Sequence, residues 1–171
     1  MARPYLISQY MNAPLPTISE QKRLPFRPHP EEVDALYRAI NRHIFDNVLT
    51  QPEIILGTLK KAWGRCHWED SRLRRSSWGK NGTWCKIELY DKWFSPQWFC
   101  TTLAHEMAHQ WQWDIYRWEH RERWGREMHL NSGAHGPSFH YWHDVYQSWG
   151  ISLKLAHGQK RWFRHQDLFK C

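Results

Sequence analysis

Apolar side chains recur at helical spacing soon after a proline-rich beginning. Between residues 31 and 47 they stand three or four positions apart, and polar residues occupy the opposite face. Pro30 and the pair Glu31 and Glu32 suit a first helical turn, because proline is tolerated there and acids favour the positive end of the helix dipole. The pattern predicts an amphipathic helix over residues 31–47.

The middle of the chain changes to the two-residue alternation of strands. Thr83–Tyr90 alternates most clearly, with apolar residues at every second position. A short apolar run before it predicts a strand at Glu53–Leu56, and Lys60–Trp68 is a second candidate strand. The polar, arginine-rich stretch 69–82, between the second and third of these predicted strands, predicts a loop.

Two more helices are predicted towards the C-terminus. Ser95, followed by proline, is typical of a helix N-cap, and an apolar stripe continues from it to about Trp118. Residues 119–134 are dense in mixed charge and predict a change from helix to loop. A last helix is predicted over Pro137–Trp149, with Gly150 as its stop.

These elements suit one domain, because 171 residues is the usual size of a single folding unit. Residues 1–30 hold six of the nine prolines and predict an extended arm outside the packed core. The domain then covers residues 31–150, and a basic tail covers residues 151–171. A chain of this length buries enough apolar surface to fold without disulfides.

The expected compartment is the cytoplasm. No apolar run approaches 18 residues, so no segment is expected to span a membrane. The N-terminus lacks the apolar stretch of a secretory signal. Four cysteines without a CxxC pair indicate reduced thiols.

The charge balance raises nucleic acid as a partner. Lysine and arginine number 24 against 17 acids, a net charge of +7. Tryptophans interleave with the basic residues, which suits single-stranded nucleic acid, because cations meet phosphates while rings stack on bases. The alternative is an ordinary solvated face with the tryptophans in the core. The candidate contacts are Lys60, Lys61, Arg65, Arg72, Arg74, Arg75, Lys160, Arg161 and Arg164.

The clearest chemical signal is an HExxH motif on the second predicted helix. His105 and His109 stand four positions apart, so both imidazoles lie on one helical face and reach one zinc ion. Glu106, beside the first histidine, is placed to take a proton from a zinc-bound water. The motif therefore predicts one catalytic zinc per chain, although two solvated histidines on a surface helix would produce the same letters.

A catalytic zinc needs a third protein ligand. The metzincin pattern HExxHxxGxxH fails, because Gln112 and Ile115 occupy its glycine and histidine positions. His135 is the best candidate, since the glycines around it let the backbone bring an imidazole close to a metal. The alternatives left open are Glu122, Glu127, His129, His140 and His143.

At these residues the sequence resembles the SprT-like zinc metalloproteases, which include the Spartan proteases of DNA–protein crosslinks. The stretches HEMAHQW and AHGPSF resemble the family's active-site helix and its downstream ligand element. Lys61–Cys66 and Ile87–Leu89 resemble two strands that precede that helix. The resemblance covers about residues 31–150, and small proteins of the family also occur in phages.

The resemblance implies an α+β fold, a minimal zincin-like domain. A small three-stranded antiparallel sheet would pack with an N-terminal helix, the HExxH helix and a closing C-terminal helix. Zinc ligands His105, His109 and His135 are implied, with Glu106 as general base. An edge strand, Cys85–Tyr90, would pair with an extended substrate; its implied contacts are Ile87, Glu88 and Leu89.

The sequence departs from the family pattern in two ways. A C-terminal zinc ribbon is not expected, because residues 151–171 hold a single cysteine, Cys171. The gap between His109 and His135 is long, and its extra segment, about residues 117–131, is expected beside the cleft as a lid or partner surface. Candidates for stabilising the oxyanion are Tyr141, His143 and Tyr146.

The function implied is a zinc-dependent endopeptidase acting on DNA-bound or DNA-crosslinked proteins, with a protein or peptide substrate and single-stranded or damaged DNA as partners. One alternative is a nucleic-acid- or partner-binding protein with a structural or vestigial zinc site. Another is a metal-dependent hydrolase of a non-peptide bond.

Overall fold

The computed structural model describes residues 5–14, 25–60, 62–70, 83–116 and 135–153. Within them the fold is α+β, as expected: helices come before and after the three strands of one small sheet along the chain. The elements are α1 Tyr5–Met11, α2 Pro30–Ile44, β1 Glu53–Gly57, β2 Gly64–Asp70, β3 Thr83–Tyr90, α3 Pro96–Trp111, a π-helical turn Gln112–Tyr116, a 3-10 turn Phe139–Trp142 and α4 His143–Ser148.

The three strands form a mixed sheet in the order β1-β3-β2. β2 runs antiparallel to β3, but β1 runs parallel to it, so the prediction of an antiparallel sheet is wrong for β1. The cause is topological. The chain reverses direction twice between β1 and β3, so these two strands run the same way. β3 then lies between β1 and β2 and pairs with both.

β3 is therefore the central strand, and the prediction that it forms the substrate-binding edge is wrong. Ile87 and Leu89 are buried against the helices. Glu88 contacts the side chains of His67 and Lys86, at 2.9 and 2.8 Å. Among the described strands, the outer positions of the sheet belong to β1 and β2.

The prediction that the first thirty residues form an extended arm is wrong for α1. Ile7 is completely buried and Tyr10 nearly so, and both belong to the hydrophobic core. The side-chain amide of Gln97, on α3, donates to the carbonyl of Ala13 just after α1. Prolines on either side bound this short helix rather than prevent it, since proline is disruptive mainly inside a helix.

α3 is the central helix of the molecule, with all but two of its residues buried. It packs on β2 and β3 and also contacts α1 and α2. Ser95 caps it as expected, because its hydroxyl accepts from the Trp98 backbone N–H at 3.2 Å. Trp63 lies in this core, fully buried, and so does not offer a face for base stacking.

The closing helix is shorter than predicted. The chain makes a 3-10 turn before α4 begins, and α4 ends at Ser148. Gly150 follows with φ of +73°, the left-handed conformation in which glycine is favoured as a helix stop. No helix in the ranges described above has the length and apolarity that crossing a membrane requires.

Candidate metal centre

Three histidines converge where α3 meets the segment before the 3-10 turn. His105 and His109 stand one turn apart on α3, and His135 approaches from the other side. The Nε2 atom of His105 lies 3.2 Å from Nε2 of His109 and 3.2 Å from Nε2 of His135. In the part of the chain that the structure describes, this is the one cluster of metal-binding side chains.

The spacing of these nitrogens fits a single ion. Two ligands bound to zinc at about 2.0–2.1 Å with tetrahedral angles lie about 3.3 Å apart, close to the distances observed. Phe139 is fully buried and packs against all three imidazoles, with ring centroids 4.8 Å from each. An apolar ring beneath the cluster excludes water from one side and limits how the imidazoles turn.

Two of the three histidines, His109 and His135, are held in the neutral form that a metal needs. Burial lowers the pKa of His109 to about 4, and burial is also the main cause that lowers the pKa of His135. A neutral imidazole keeps a lone pair, whereas a protonated one has none to give. At neutral pH both side chains are therefore uncharged and ready to bind a cation.

Glu106 is buried beside the cluster, with only 4% of its surface exposed. Burial raises the pKa of its carboxyl to about 8, opposed by a hydrogen bond from the Cys66 backbone N–H. β2 comes unusually close here: a Cβ atom added at Gly64 would lie 2.7 Å from the Glu106 Oε1 atom. A backbone without a side chain at that position leaves room for the carboxyl.

Gln112 and Ser138 also contribute to the site, although the sequence predicted no role for either of them. The Gln112 side chain contacts Nδ1 of His109 at 2.8 Å and donates to the Ser138 hydroxyl at 2.8 Å. A signal was present in the i,i+3 spacing of His109 and Gln112, which places them side by side on a helix.

Other candidate ligands do not join the cluster. His143 contacts Asp144 and Gln147, both at 3.2 Å, and His140 is also outside the group of three. Glu122, Glu127 and His129 lie outside the described residues, as does the segment 117–131.

Two of the oxyanion candidates, Tyr146 and Tyr141, differ in their exposure. Tyr146 is fully buried, and its hydroxyl donates to the Ala104 carbonyl at 2.8 Å. Tyr141 is 63% exposed and stacks on Trp111, with centroids 4.9 Å apart.

Of the predicted nucleic-acid contacts, Lys60 and Arg65 are exposed, and the Arg65 guanidinium donates to the Lys60 carbonyl at 2.8 Å. The remaining ones lie outside the described residues: Lys61, Arg72, Arg74, Arg75, Lys160, Arg161 and Arg164.

Comparison with known proteins gives one match. The sequence model of the SprT-like family matches residues 33–157, which is most of the chain and includes every member of the cluster. No curated protein and no solved structure matches this chain.

Proposed function

This chain belongs to the SprT-like family, and we propose that it is a zinc-dependent endopeptidase with one zinc ion per chain. The observation that carries the proposal is the position of Glu106, buried beside a cluster of three histidines that fits one metal ion. The family is associated with zinc metallopeptidase-type activity, and such activity needs a metal site with a carboxyl next to it.

The chemistry assigned to the chain's own residues is a double proton transfer. A bound zinc ion would supply the Lewis acid that polarises the scissile carbonyl and acidifies a water molecule. Glu106 accepts the proton of the attacking water and then donates it to the departing amine nitrogen. A bound cation would oppose the burial that raises the pKa of Glu106, and so would favour the carboxylate form that accepts a proton.

The same proposal places an extended substrate along β2 rather than β3. β2 is an outer strand of the sheet, and its Gly64 and Cys66 lie against Glu106. An outer strand offers backbone groups to an added strand, which aligns a peptide without regard to its side chains. A peptide that lies beside β2 passes Glu106 and the three histidines.

The proposed substrates are proteins bound or crosslinked to DNA, in the cytoplasm or on a nucleoid. The net charge of +7 supports an acidic partner, and so do the exposed cations of Lys60 and Arg65, which neighbour the beginning of β2. Single-stranded DNA held near β2 would bring attached protein close to the site, raising its local concentration.

The test compares wild type with Glu106→Gln, both confirmed to carry zinc. Each is incubated with a basic protein, with and without single-stranded DNA, and fragments are read by mass spectrometry. We expect cleavage by wild type only and faster cleavage with DNA. Glu53→Gln, an exposed carboxyl at the start of β1, is the matched control and should cleave like wild type.

The outcomes separate the parts of the proposal. Cleavage by zinc-loaded Glu106→Gln would refute the assigned mechanism. Cleavage by wild type without an effect of DNA would keep the endopeptidase and remove DNA as partner. No cleavage by zinc-loaded wild type would refute the endopeptidase for this substrate class and favour a binding protein with a structural zinc.

A further inference from the structure

Gln112 contacts one histidine of the cluster, His109, and also contacts Ser138, three residues after a second one, His135. Only 2% of its surface is exposed. One end of its amide contacts Nδ1 of His109 and the other donates to the hydroxyl of Ser138, each at 2.8 Å. A buried amide with both ends in use is held in place by its two partners.

The first contact decides which nitrogen of His109 carries the proton. The Gln112 Oε1 atom is an acceptor only, so Nδ1 of His109 must be the donor. In the neutral ring this leaves Nε2 without a hydrogen, and Nε2 is the atom that faces His105 at 3.2 Å. The reversed amide would put the proton on Nε2 instead, where it would block metal binding.

The second contact reaches the segment of the third histidine. Ser138 lies three residues after His135, in the turn that leads to Phe139. Its hydroxyl is buried and accepts from the Gln112 amide. Gln112 thus fixes the distance between α3 and the turn that carries His135.

We propose that Gln112 is a positioning residue of the metal centre, setting the tautomer of His109 and tying the His135 segment to α3. The inference rests on metal binding in the proposed function but not on proteolysis. Outer partners of metal-binding histidines commonly change metal affinity by about 10- to 100-fold when they are replaced.

The test measures zinc affinity by competition with a chromophoric chelator, using the full chain. Gln112→Met keeps the volume but removes both bonds, and we expect zinc to bind about 10- to 100-fold more weakly. Gln112→Glu should rescue affinity to near the wild-type value, because a carboxylate accepts from Nδ1 and the Ser138 hydroxyl turns to donate to it. The cobalt(II) absorption spectrum should change in Gln112→Met and return in Gln112→Glu.

Two further variants make the test specific. Ser138→Ala retains the bond to His109 and should lose less affinity than Gln112→Met. Gln147→Met is the matched control, because Gln147 also contacts a histidine ring, His143, at an exposed position away from the cluster. Its zinc affinity should equal that of wild type.

A purely structural role would give a different pattern. Gln112→Met would then melt at a lower temperature without metal, but its folded form would bind zinc and cobalt(II) like wild type. That result, or a failure of Gln112→Glu to restore affinity, would overturn the proposal. A wild-type chain that binds no zinc refutes both proposals, whereas one that binds zinc and cleaves nothing refutes only the endopeptidase.

Discussion

The carboxyl of Glu106 is buried, and burial disfavours its charged form. Its pKa is raised to about 8 in the folded chain against an ordinary value of 4.5. Between these two values the unfolded chain releases a proton that the folded chain keeps. The contribution of protonated Glu106 to the free energy of unfolding is therefore full below about pH 4.5, and it decreases as the pH rises towards 8.

The consequence is measurable in metal-free protein, kept so with a chelator. Relative to Glu106→Gln, wild type should lose stability by up to about 1.4 kcal/mol per pH unit across this window. Denaturant unfolding of both proteins at pH 5, 6, 7 and 8 checks it, since the subtraction removes the histidines' contribution. Equal differences at pH 5 and pH 8 would contradict the raised pKa, and bound zinc should flatten the slope by favouring the carboxylate.

At this scale the meeting of His105 and His109 was predictable, because residues four apart lie on one face of a helix. The structure also brings His135 to them, as its flanking glycines suggested. Glu106 was predictable only as the neighbour of His105 in the motif. Gln112 could not be assigned in the same way. Its role depends on Ser138, a residue distant in sequence whose hydroxyl arrives only when the chain folds.

At the scale of elements, the close contact between β2 and α3 sets the position of the general base. Gly64→Ala places a methyl group 2.7 Å from Oε1 and 3.0 Å from the Thr102 Cγ2 atom. Glu106 must then move, because its Oε1 and Cγ atoms are the two nearest to the new methyl group. We expect cleavage to slow by about 10- to 100-fold, the usual cost of displacing a catalytic group by a fraction of an ångström to one ångström.

The matched control for that substitution is Gly57→Ala on β1. A Cβ atom there meets no heavy atom within 4 Å, so cleavage should be unchanged. Zinc affinity measured alongside should be the same in both variants and in wild type. A Gly64→Ala protein with wild-type turnover would show that the carboxyl has room to retreat without losing function.

The strands and the long helices were predictable because each is a local pattern. Thr83–Tyr90 alternates as a strand should, and the structure has the same bounds. Pairing was not predictable, because alternation shows which side chains share a face of the strand but not which strand lies beside it. α1 was missed for a different reason. Seven residues give barely two helical turns, and its stability comes from packing that the segment does not encode.

For the whole molecule, α1 extends the folding unit beyond the segment that matches the family. Ile7 is completely buried among core residues although the match begins at residue 33. Ile7→Ala should therefore destabilise the protein by about 2–5 kcal/mol, as for other large buried side chains. Chemical denaturation checks this, with exposed Gln9→Ala as control. A loss below 1 kcal/mol would show that α1 is not part of the cooperative core.

Metal removal should act on the whole fold as well. A zinc ion bound by the three histidines would join α3 to the segment that carries His135. The unfolded chain does not hold these ligands together. Zinc at 100 times its dissociation constant should add about 2.7 kcal/mol of stability. Melting with zinc and with a chelator checks this. His135→Ala should show a much smaller zinc-dependent shift, and an equal shift in both proteins would place the ion elsewhere.

The central position of β3 also has a consequence for how the chain folds. β2 and β3 are consecutive strands and can pair as a hairpin early, whereas β1 must find β3 across the whole of β2 and its flanking segments. Closing the shorter loop costs less chain entropy. We therefore expect the strand beside Glu106 to be in place before β1 docks. Substitutions at the β2–β3 contact should slow refolding, while those on β1 should mainly speed unfolding.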